Sequence, residues 1–164
     1  MKKGLLLLVF PFLLSSCFGN VTDDELANQQ QYKPLVLERS VFEKSIILEN
    51  AKPVKKSGKI YIKGDLMFVN DVNKGFHVYD YSNPKNPILL NFIKAPGATD
   101  LAIVDDIIYI NQAVDLVAVS YDSATKKITV TSRSINVFPQ KKSPTGEFGS
   151  VVGNQIIIDW DLIE

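Results

Sequence analysis

Two stretches of equal length decide the fold of this chain, KIYIKGDLMFVN at Lys59–Asn70 and DLAIVDDIIYIN at Asp100–Asn111. They align without gaps, with apolar residues opposite apolar residues and Asn70 opposite Asn111. Each has two runs rich in Ile, Val, Leu, Phe and Tyr around a Gly-Asp or Asp-Asp pair, which is typical of two strands joined by a tight turn. A repeat of about 40 residues has the size of one four-stranded β unit. The sequence therefore predicts an all-β fold of antiparallel meanders.

The repeat extends beyond these stretches. In the first copy (58–97) the predicted strands are 59–63, 66–70, 76–81 and 88–94, and in the second (98–140) they are 100–104, 107–111, 116–121 and 127–135. Residues 141–164 hold a loop and a partial third copy with two candidate strands, in which Gly153-Asn154 aligns with Gly64-Asp65. Residues 34–57 form an N-terminal segment with short predicted strands at 35–37 and 45–49. The strand at 127–135 alternates strictly and is largely polar, which predicts an outer edge.

Residues 1–20, MKKGLLLLVFPFLLSSCFGN, indicate a processing signal. Two lysines precede an apolar stretch at 4–14, which is too short to span a bilayer but suits a signal peptide. The last residue of this stretch and the three that follow resemble the lipobox of bacterial lipoproteins, with the residues Leu14, Ser15, Ser16 and Cys17. The resemblance implies cleavage of residues 1–16 and lipidation of Cys17, the only Cys in the chain. An ordinary signal peptide followed by a chance Cys is the alternative.

Residues 17–33 are predicted to be a lipidated polar tether, either a flexible spacer or a short helix that begins with a capping box at Thr22. The acidic run Asp23-Asp24-Glu25 is similar to the surface-export signal of Bacteroidetes-type lipoproteins. Phe18, directly after Cys17, resembles outer-membrane sorting. We therefore expect a lipid-anchored protein of the bacterial outer membrane, facing either the cell surface or the periplasm.

The stretch GFHVYDYSNPKNPILLNFIKAPGATDLAIVDDIIYIN at Gly75–Asn111 resembles the LVIVD repeat family, in a Bacteroidetes lipoprotein branch. The turn residues that carry this resemblance are Asp80, Ser82, Asn83, Pro84, Asn86, Pro87, Pro96 and Gly97. The resemblance implies a β-propeller-like fold, here a partial array of two full copies and a partial third, as in a short or truncated member. It implies no catalytic residues. The turn residues are predicted to be structural, because proline lacks an N–H group and Ser and Asn bond to nearby backbone.

Composition excludes several kinds of site. The 18 Lys and Arg residues balance the 18 Asp and Glu residues, so the basic surface that nucleic-acid binding needs is not expected. One Cys and one His cannot build a Cys/His zinc site. The single histidine, His77, is expected to be a half-exposed sheet residue rather than a general base. Several carboxylates could serve as calcium ligands but lack a convincing spacing, and these are Asp105, Asp106, Asp115, Asp159 and Asp161.

The sequence therefore predicts a non-enzymatic lipoprotein without cofactor or metal, whose β-repeat domain is an interaction module or scaffold for a protein or glycan partner. Two alternatives stay open: a fragment of a propeller-type enzyme that acts on glycans, and a non-functional truncated family member. The charges of Glu38, Arg39 and Glu43 are interpreted as surface charges. The apolar final segment NQIIIDWDLIE is predicted to present an unprotected strand edge and to favour self-association.

Overall fold

The structure, a computed structural model, describes residues 32–163. Eleven strands and one short helix lie within these residues, and the strands form three antiparallel sheets, none of them closed. The elements are β1 (Tyr32–Glu38), α1 (Arg39–Phe42), β2 (Ile47–Asn50), β3 (Ser57–Lys63), β4 (Leu66–Asp71), β5 (Gly75–Asp80), β6 (Ile88–Lys94), β7 (Ala98–Val104), β8 (Ile107–Gln112), β9 (Asp115–Asp122), β10 (Lys127–Ser134) and β11 (Gln155–Leu162). The predicted all-β class with antiparallel sheets is confirmed.

The two large sheets follow the repeat of the sequence. The first has the order β2-β6-β5-β4-β3, and the second has the order β10-β9-β8-β7. Strands β3 and β7 begin at equivalent positions of the two copies, and so do β4 and β8. The polar strand β10 lies at the edge of its sheet, as predicted. Equivalent sequence positions therefore occupy equivalent strands in the two sheets.

The main core lies between these two sheets. The first sheet contributes aromatic residues such as Phe68 and Phe76, and the second contributes aliphatic residues such as Ile110 and Val117. All four are at most 2% exposed. Burying one such side chain is worth about 1.5–3 kcal/mol, so neither sheet keeps this stabilisation without the other. At the inner edges, the hydroxyl of Tyr61 on β3 donates to Asp100 on β7.

The opposite face of the first sheet is also partly buried, because the connection between β2 and β3 crosses it. This connection, residues 51–56, bonds to β4 through the backbone N–H groups of Lys55 and Lys56, which donate to the Asp71 carboxylate. His77 and Phe92 on this face are fully buried. The crossing is required because β2 and β3 lie at opposite edges of one sheet.

The third sheet contains only β1 and β11. It packs at the end of the large sheets through a small apolar cluster, whose buried members are Phe42, Ala113, Val114 and Ile156. Strand β1 is longer than the predicted 35–37, because its pairing with β11 extends from Tyr32 to Glu38. β2 is shifted relative to the predicted 45–49 and pairs with β6.

The partial third copy differs from its prediction. Only one of its two candidate strands forms, and this strand, β11, is paired along one edge with β1. Besides this strand pairing, the Gln140 side chain accepts a hydrogen bond from the N–H of Ile157 and donates one to the carbonyl of Gln155. The predicted unprotected edge is therefore wrong for this part of β11, since a distant segment of the chain supplies the missing partner. Self-association through this end stays a prediction.

Gly75 opens β5 at the turn that follows β4, with a φ of +141°. A Cβ atom at this position would lie 2.0 Å from the carbonyl oxygen of Ile93 and 2.9 Å from the nitrogen of Ala95. Both are backbone atoms of the neighbouring chain segment, which cannot rotate away. Gly64 in the β3–β4 turn also has a positive φ, of +54°, but a Cβ atom there would meet nothing within 4 Å. A side chain at Gly75 would therefore meet both a steric clash and an unfavourable φ, whereas a side chain at Gly64 would meet only the unfavourable φ.

We expect Gly75→Ala to destabilise the fold by about 3 kcal/mol or more, because it adds a backbone clash to an unfavourable φ. Gly64→Ala, the matched control, should cost about 1 kcal/mol, because only the conformational term applies. Urea unfolding followed by circular dichroism measures both. Equal losses for the two variants would contradict this account of the β4–β5 turn.

Candidate functional site

A pocket of about 360 Å³ opens beside the β4–β5 turn, on the face of the first sheet that the 51–56 connection crosses. Four separate parts of the chain line it: the end of β2 with the connection, the β4–β5 turn, the end of β6, and β11. We name it the lysine pocket, and its lining residues are Glu49, Lys52, Pro53, Lys55, Asp71, Asn73, Lys74, Phe92, Lys94, Pro96 and Ile158. Its volume lies within the range of small-molecule sites.

Two of the four lysines share one carboxylate. Lys52 Nζ lies 2.8 Å from Glu49 Oε2, and Lys94 Nζ lies 3.7 Å from Glu49 Oε1. The hydrogen bond from Lys52 is the main reason why the pKa of Glu49 is lowered. Glu49 therefore stays ionised at neutral pH, but one negative charge cannot balance two ammonium groups.

Lys74 is paired with a carboxylate on β11. Its Nζ atom lies 2.8 Å from Asp159 Oδ2, and the Asn73 amide donates to the other oxygen of the same carboxylate. Burial raises the pKa of Asp159, but the Lys74 hydrogen bond and other contacts outweigh burial and the net shift is downward. Behind this pair, burial lowers the pKa of Lys141, whose ammonium donates to Asn73. This network attaches β11 to the turn that forms the wall of the pocket.

The floor of the pocket is a buried carboxylate that is already hydrogen-bonded within the protein. Asp71 accepts hydrogen bonds of 3.1 Å from the backbone N–H groups of Lys55 and Lys56, and its Oδ2 atom lies 3.2 Å from His77 Nε2. Burial raises its pKa, but the His77 and backbone hydrogen bonds outweigh burial and lower it. The ammonium of Lys55, by contrast, is exposed and makes no ion pair with any residue of the described chain. Four lysines therefore face two lining carboxylates, Glu49 and Asp71, and a third carboxylate, Asp159, pairs with Lys74.

One wall of the pocket is apolar. Phe92 lies at its base with the Lys52 ammonium 3.7 Å from the ring centroid, a cation–π contact. Pro53, Pro96 and Ile158 complete this wall. Because Phe92 is fully buried beneath Lys52, the apolar surface that remains accessible belongs to Pro53, Pro96 and Ile158.

His77 does not have the predicted half-exposed position. It is fully buried, its ring lies 4.7 Å from that of Phe92, and it contacts the Asp71 carboxylate from behind. The prediction was wrong because strand alternation places His77 on the face away from the main core, and the 51–56 connection covers that face. Its position beneath the floor, out of contact with the solvent, makes it a supporting residue of the lysine pocket.

Arg39 is not the surface charge that the sequence predicts. Its guanidinium donates to both oxygens of the fully buried Asp115 carboxylate, at 2.9 and 2.7 Å. Arg133 on β10 donates to the same carboxylate at 2.8 Å, and the N–H of Asn136 donates at 3.0 Å. Both guanidinium groups also lie over the Phe42 ring. This Asp115 cluster joins α1, β9 and β10. Arg39 and Asp115 are 76 positions apart, so no local sequence pattern predicts their pairing.

The carboxylates considered as calcium ligands do not converge. Asp115 belongs to the Asp115 cluster, Asp159 pairs with Lys74, and Asp105 and Asp106 form the β7–β8 turn. Asp161 is exposed on β11. Within residues 32–163 there is no group of three or more His, Cys, Asp or Glu side chains that could hold a metal ion.

The residues of the family-like motif form a connection at the other end of the first sheet. Asp80 accepts from the backbone N–H of Ser82 at 2.9 Å, and Asn83 accepts from that of Lys85 at 3.1 Å. Pro84, Asn86 and Pro87 are exposed beside them. Pro96 lies instead in the lysine pocket, and Gly97 has a φ of +80° beside Ala113. The contacts of Asp80 and Asn83 are local turn contacts.

A second groove, of about 350 Å³, lies between the two large sheets at the β3–β4 and β7–β8 turns. Apolar residues such as Leu66, Phe68 and Tyr121 form its walls, and Asp65, Asp105 and Asp106 stand with Lys63 at its rim. Its charge is opposite to that of the lysine pocket. Burial raises the pKa of Tyr121 in this groove, and its hydroxyl donates to Asn91 at 3.2 Å.

The predicted lipidation site and its lipobox, Leu14, Ser15, Ser16 and Cys17, lie outside the described residues. The same holds for the acidic run and for most of the tether. Among residues 32–163, no helix is long and apolar enough to cross a bilayer.

No family model, curated protein or solved structure matches this chain. The lysine pocket and the Asp115 cluster are therefore assigned from their geometry and chemistry. The sequence predicts neither of them. The pocket lysines are dispersed between positions 52 and 94, and the cluster joins Arg39 and Arg133 to an aspartate 76 and 18 positions away.

Asp115→Asn should destabilise the protein by about 3 kcal/mol, because the substitution leaves two partly buried guanidinium groups without their counter-ion. Asp106→Asn is the matched control, since its side chain is fully exposed and its ion pair with Lys63 is long, at 3.7 Å. Its stability should equal that of the wild type within experimental error. Thermal and urea unfolding test both variants. A loss for Asp115→Asn no larger than that of the control would show that the cluster contributes little.

Stability should also fall in acid. Burial opposes ionisation of Asp71, Asp115 and Asp159, but their hydrogen bonds and cations lower the pKa of each below 3.8, the value expected in the unfolded chain. The unfolded chain therefore binds protons first, and the stabilisation is complete above about pH 4 and is lost as the pH falls towards the lowered values. Urea unfolding between pH 7 and pH 3 measures this. Asp115→Asn should show a shallower decline than the wild type, and an equal slope would exclude Asp115 as a contributor.

Proposed function

We propose that this chain is a non-enzymatic, lipid-anchored protein of the bacterial outer membrane, whose β domain is a ligand- or partner-binding module. The anchor is inferred from Leu14-Ser15-Ser16-Cys17, which follows a basic and then an apolar segment. Several acyl chains hold a protein on a membrane far more firmly than one chain does. The acidic run at 23–25 favours the cell surface, and the periplasm is the alternative orientation.

We further propose that the two large sheets are blades of a β-propeller-like array of the LVIVD type. Two features support this interpretation. Both sheets are antiparallel meanders whose strands follow the sequence repeat, and they pack face to face through one core. The separate β1–β11 sheet packs at the ends of these two blades through Phe42 and Ile156.

The observation that carries the binding role is the lysine pocket. Its lining comes from four parts of the chain. Two carboxylates that each accept several hydrogen bonds hold these parts in place, Asp71 and Asp159. Lys52, Lys74 and Lys94 have carboxylate partners, and the exposed Lys55 has none among residues 32–163. This arrangement favours a recognition surface over a general acid–base pair. The buried groups that have altered pKa values are engaged in structural hydrogen bonds.

The anchor is tested by labelling bacterial cells that express the full chain with radioactive palmitate. The wild type should incorporate label and fractionate with the outer membrane, because Cys17 supplies the only thiol that can be lipidated. Cys17→Ala should lose the label.

The matched control is Ser15→Ala, which keeps a small residue in the lipobox and should be labelled like the wild type. Label on Cys17→Ala equal to that on the wild type would refute the lipoprotein assignment. Protease treatment of intact cells then distinguishes the two orientations, since only a surface-exposed domain is accessible.

A further inference from the structure

We propose that this chain binds a second copy of itself, head to tail, by repeating between molecules the contact that joins its own two large sheets. The outward face of the second sheet of one copy packs on the outward face of the first sheet of the next copy. This inference goes beyond the proposed function, because it concerns two surfaces outside the lysine pocket and names the partner that covers them.

The contact between the two large sheets joins unlike faces of the repeat. Strand alternation divides the side chains of each sheet between two faces. The first sheet turns Tyr61 and Phe68 towards the core, whereas the second sheet turns Leu101 towards it. At the offset that aligns the two copies, Leu101 corresponds to Ile60, which lies on the face of the first sheet turned away from the core. The two sheets therefore meet front to back.

The outward face of the second sheet is apolar and accessible. Its apolar side chains alternate along β7, β8 and β9 with residues of the core, and they are Ala102, Val104, Ile107, Tyr109, Leu116 and Ala118. Val104 is 56% exposed. A groove of about 220 Å³ crosses this face beside the uncharged Ser132 and Ser134 of β10. The one carboxylate on this side of β7, Asp100, is engaged at the inner edge by Tyr61 and Lys59.

The equivalent face of the first sheet is fully covered. Tyr109 corresponds to Phe68 in the aligned copies. Leu116 corresponds to Phe76, because these two residues pair with the equivalent asparagines of the repeat. Phe68 and Phe76 are buried against the second sheet, whereas Tyr109 and Leu116 remain half-buried at the surface. The molecule thus shows what covers such a face, namely the back of a sheet of the same build.

The chain also carries the matching back surface. We name it the isoleucine patch, and its members are Ile60, Ile62, Met67 and Tyr79. Ile60 and Ile62 are 60% and 54% exposed, although the residue equivalent to Ile60, Leu101, is 6% exposed in the core. The 51–56 connection lies over His77 and Phe92 and leaves the two isoleucines uncovered.

These two surfaces favour a second copy as the occupant. Each corresponds to one side of a contact that the chain already makes, and they lie on opposite sides of the pair of sheets, so one molecule cannot join them. Burial of apolar surface supplies the driving force. A contact between unlike surfaces leaves one of each free at the ends of a dimer. Association therefore continues until a ring closes or a chain of copies forms.

Photo-crosslinking in bacterial cells tests the proposal with two full-length copies that carry different affinity tags. In the probe copy, p-benzoylphenylalanine replaces Tyr109 on the outward face of the second sheet. Ultraviolet light should join the two tags, with the crosslinked peptide of the receiving copy in residues 60–79. The matched control places the same probe at Tyr32, which is also half-buried and belongs to β1, outside both surfaces. It should give no adduct to residues 60–79.

One substitution tests the direction of the contact. Ile62→Asp in the receiving copy should lower the yield of adduct about tenfold or more, because it buries a carboxylate without a partner in an apolar contact. The same substitution in the probe copy should leave the yield unchanged, since that copy contributes only its outward second sheet. Val104→Asp should show the reverse pattern. Both side chains are more than half exposed in one molecule, and equal recovery of the tagged copies verifies that each variant accumulates.

Four results would overturn the proposal: no adduct between the tags, an adduct only with a different protein, attachment outside residues 60–79, or equal losses from Ile62→Asp in either copy. The last result would mean that like faces meet. These outcomes are independent of lipidation. A chain that is labelled with palmitate but gives no adduct disproves the second copy and keeps the anchor. An adduct from a chain that lacks the label disproves the anchor and keeps the second copy.

Discussion

The need to neutralise one buried carboxylate organises the part of the molecule that joins the N-terminal segment to the second sheet. Asp115 begins β9 and has no exposed side-chain surface, so its charge is tolerated only where cations and N–H groups surround it. Arg39 approaches from α1, Arg133 from β10, and the backbone of Asn136 from the connection that follows. Phe42 fills the space beneath both guanidinium groups. The small β1–β11 sheet is thereby held against the end of the large sheets, because β1 leads directly into α1.

A similar arrangement occurs at Asp71, but its partners are two backbone N–H groups and a histidine ring rather than guanidinium groups. Here the backbone N–H groups of residues 55 and 56 and the His77 ring satisfy the carboxylate, so its negative charge is not cancelled by a neighbouring ammonium group. The difference matters for the surface above each site. Around Asp115 the charges are balanced and covered, whereas around Asp71 the lysine side chains stay at the surface and form the lysine pocket.

Sequence patterns predict the strands of the two repeats well, because their information is local. Alternating apolar residues and turn pairs such as Gly64-Asp65 predict the turn ends of β3, β4, β7 and β8 correctly, and their outer ends to within two residues. Patterns fail where a partner comes from far along the chain. The pairing of β1 with β11, the burial of His77 beneath the 51–56 connection, and the ion pair of Arg39 all join positions that no periodicity relates. The candidate site escapes prediction for a related reason, since a chain with equal numbers of acidic and basic residues gives no hint of a local excess of charge. The pocket lysines come together because β4 and β6 end on the same side of the first sheet, and the 51–56 connection returns from the end of β2 to that side.

The position of β2 has a consequence for the order in which the protein assembles during synthesis. β2 (Ile47–Asn50) emerges from the ribosome before the rest of the first sheet, yet it pairs only with β6 (Ile88–Lys94). It must therefore wait until β6 has been synthesised. Contacts of such long sequence separation form late and slowly. The crossing connection lies over His77 and Phe92, so the face that bears the lysine pocket can be completed only after β6 has been translated.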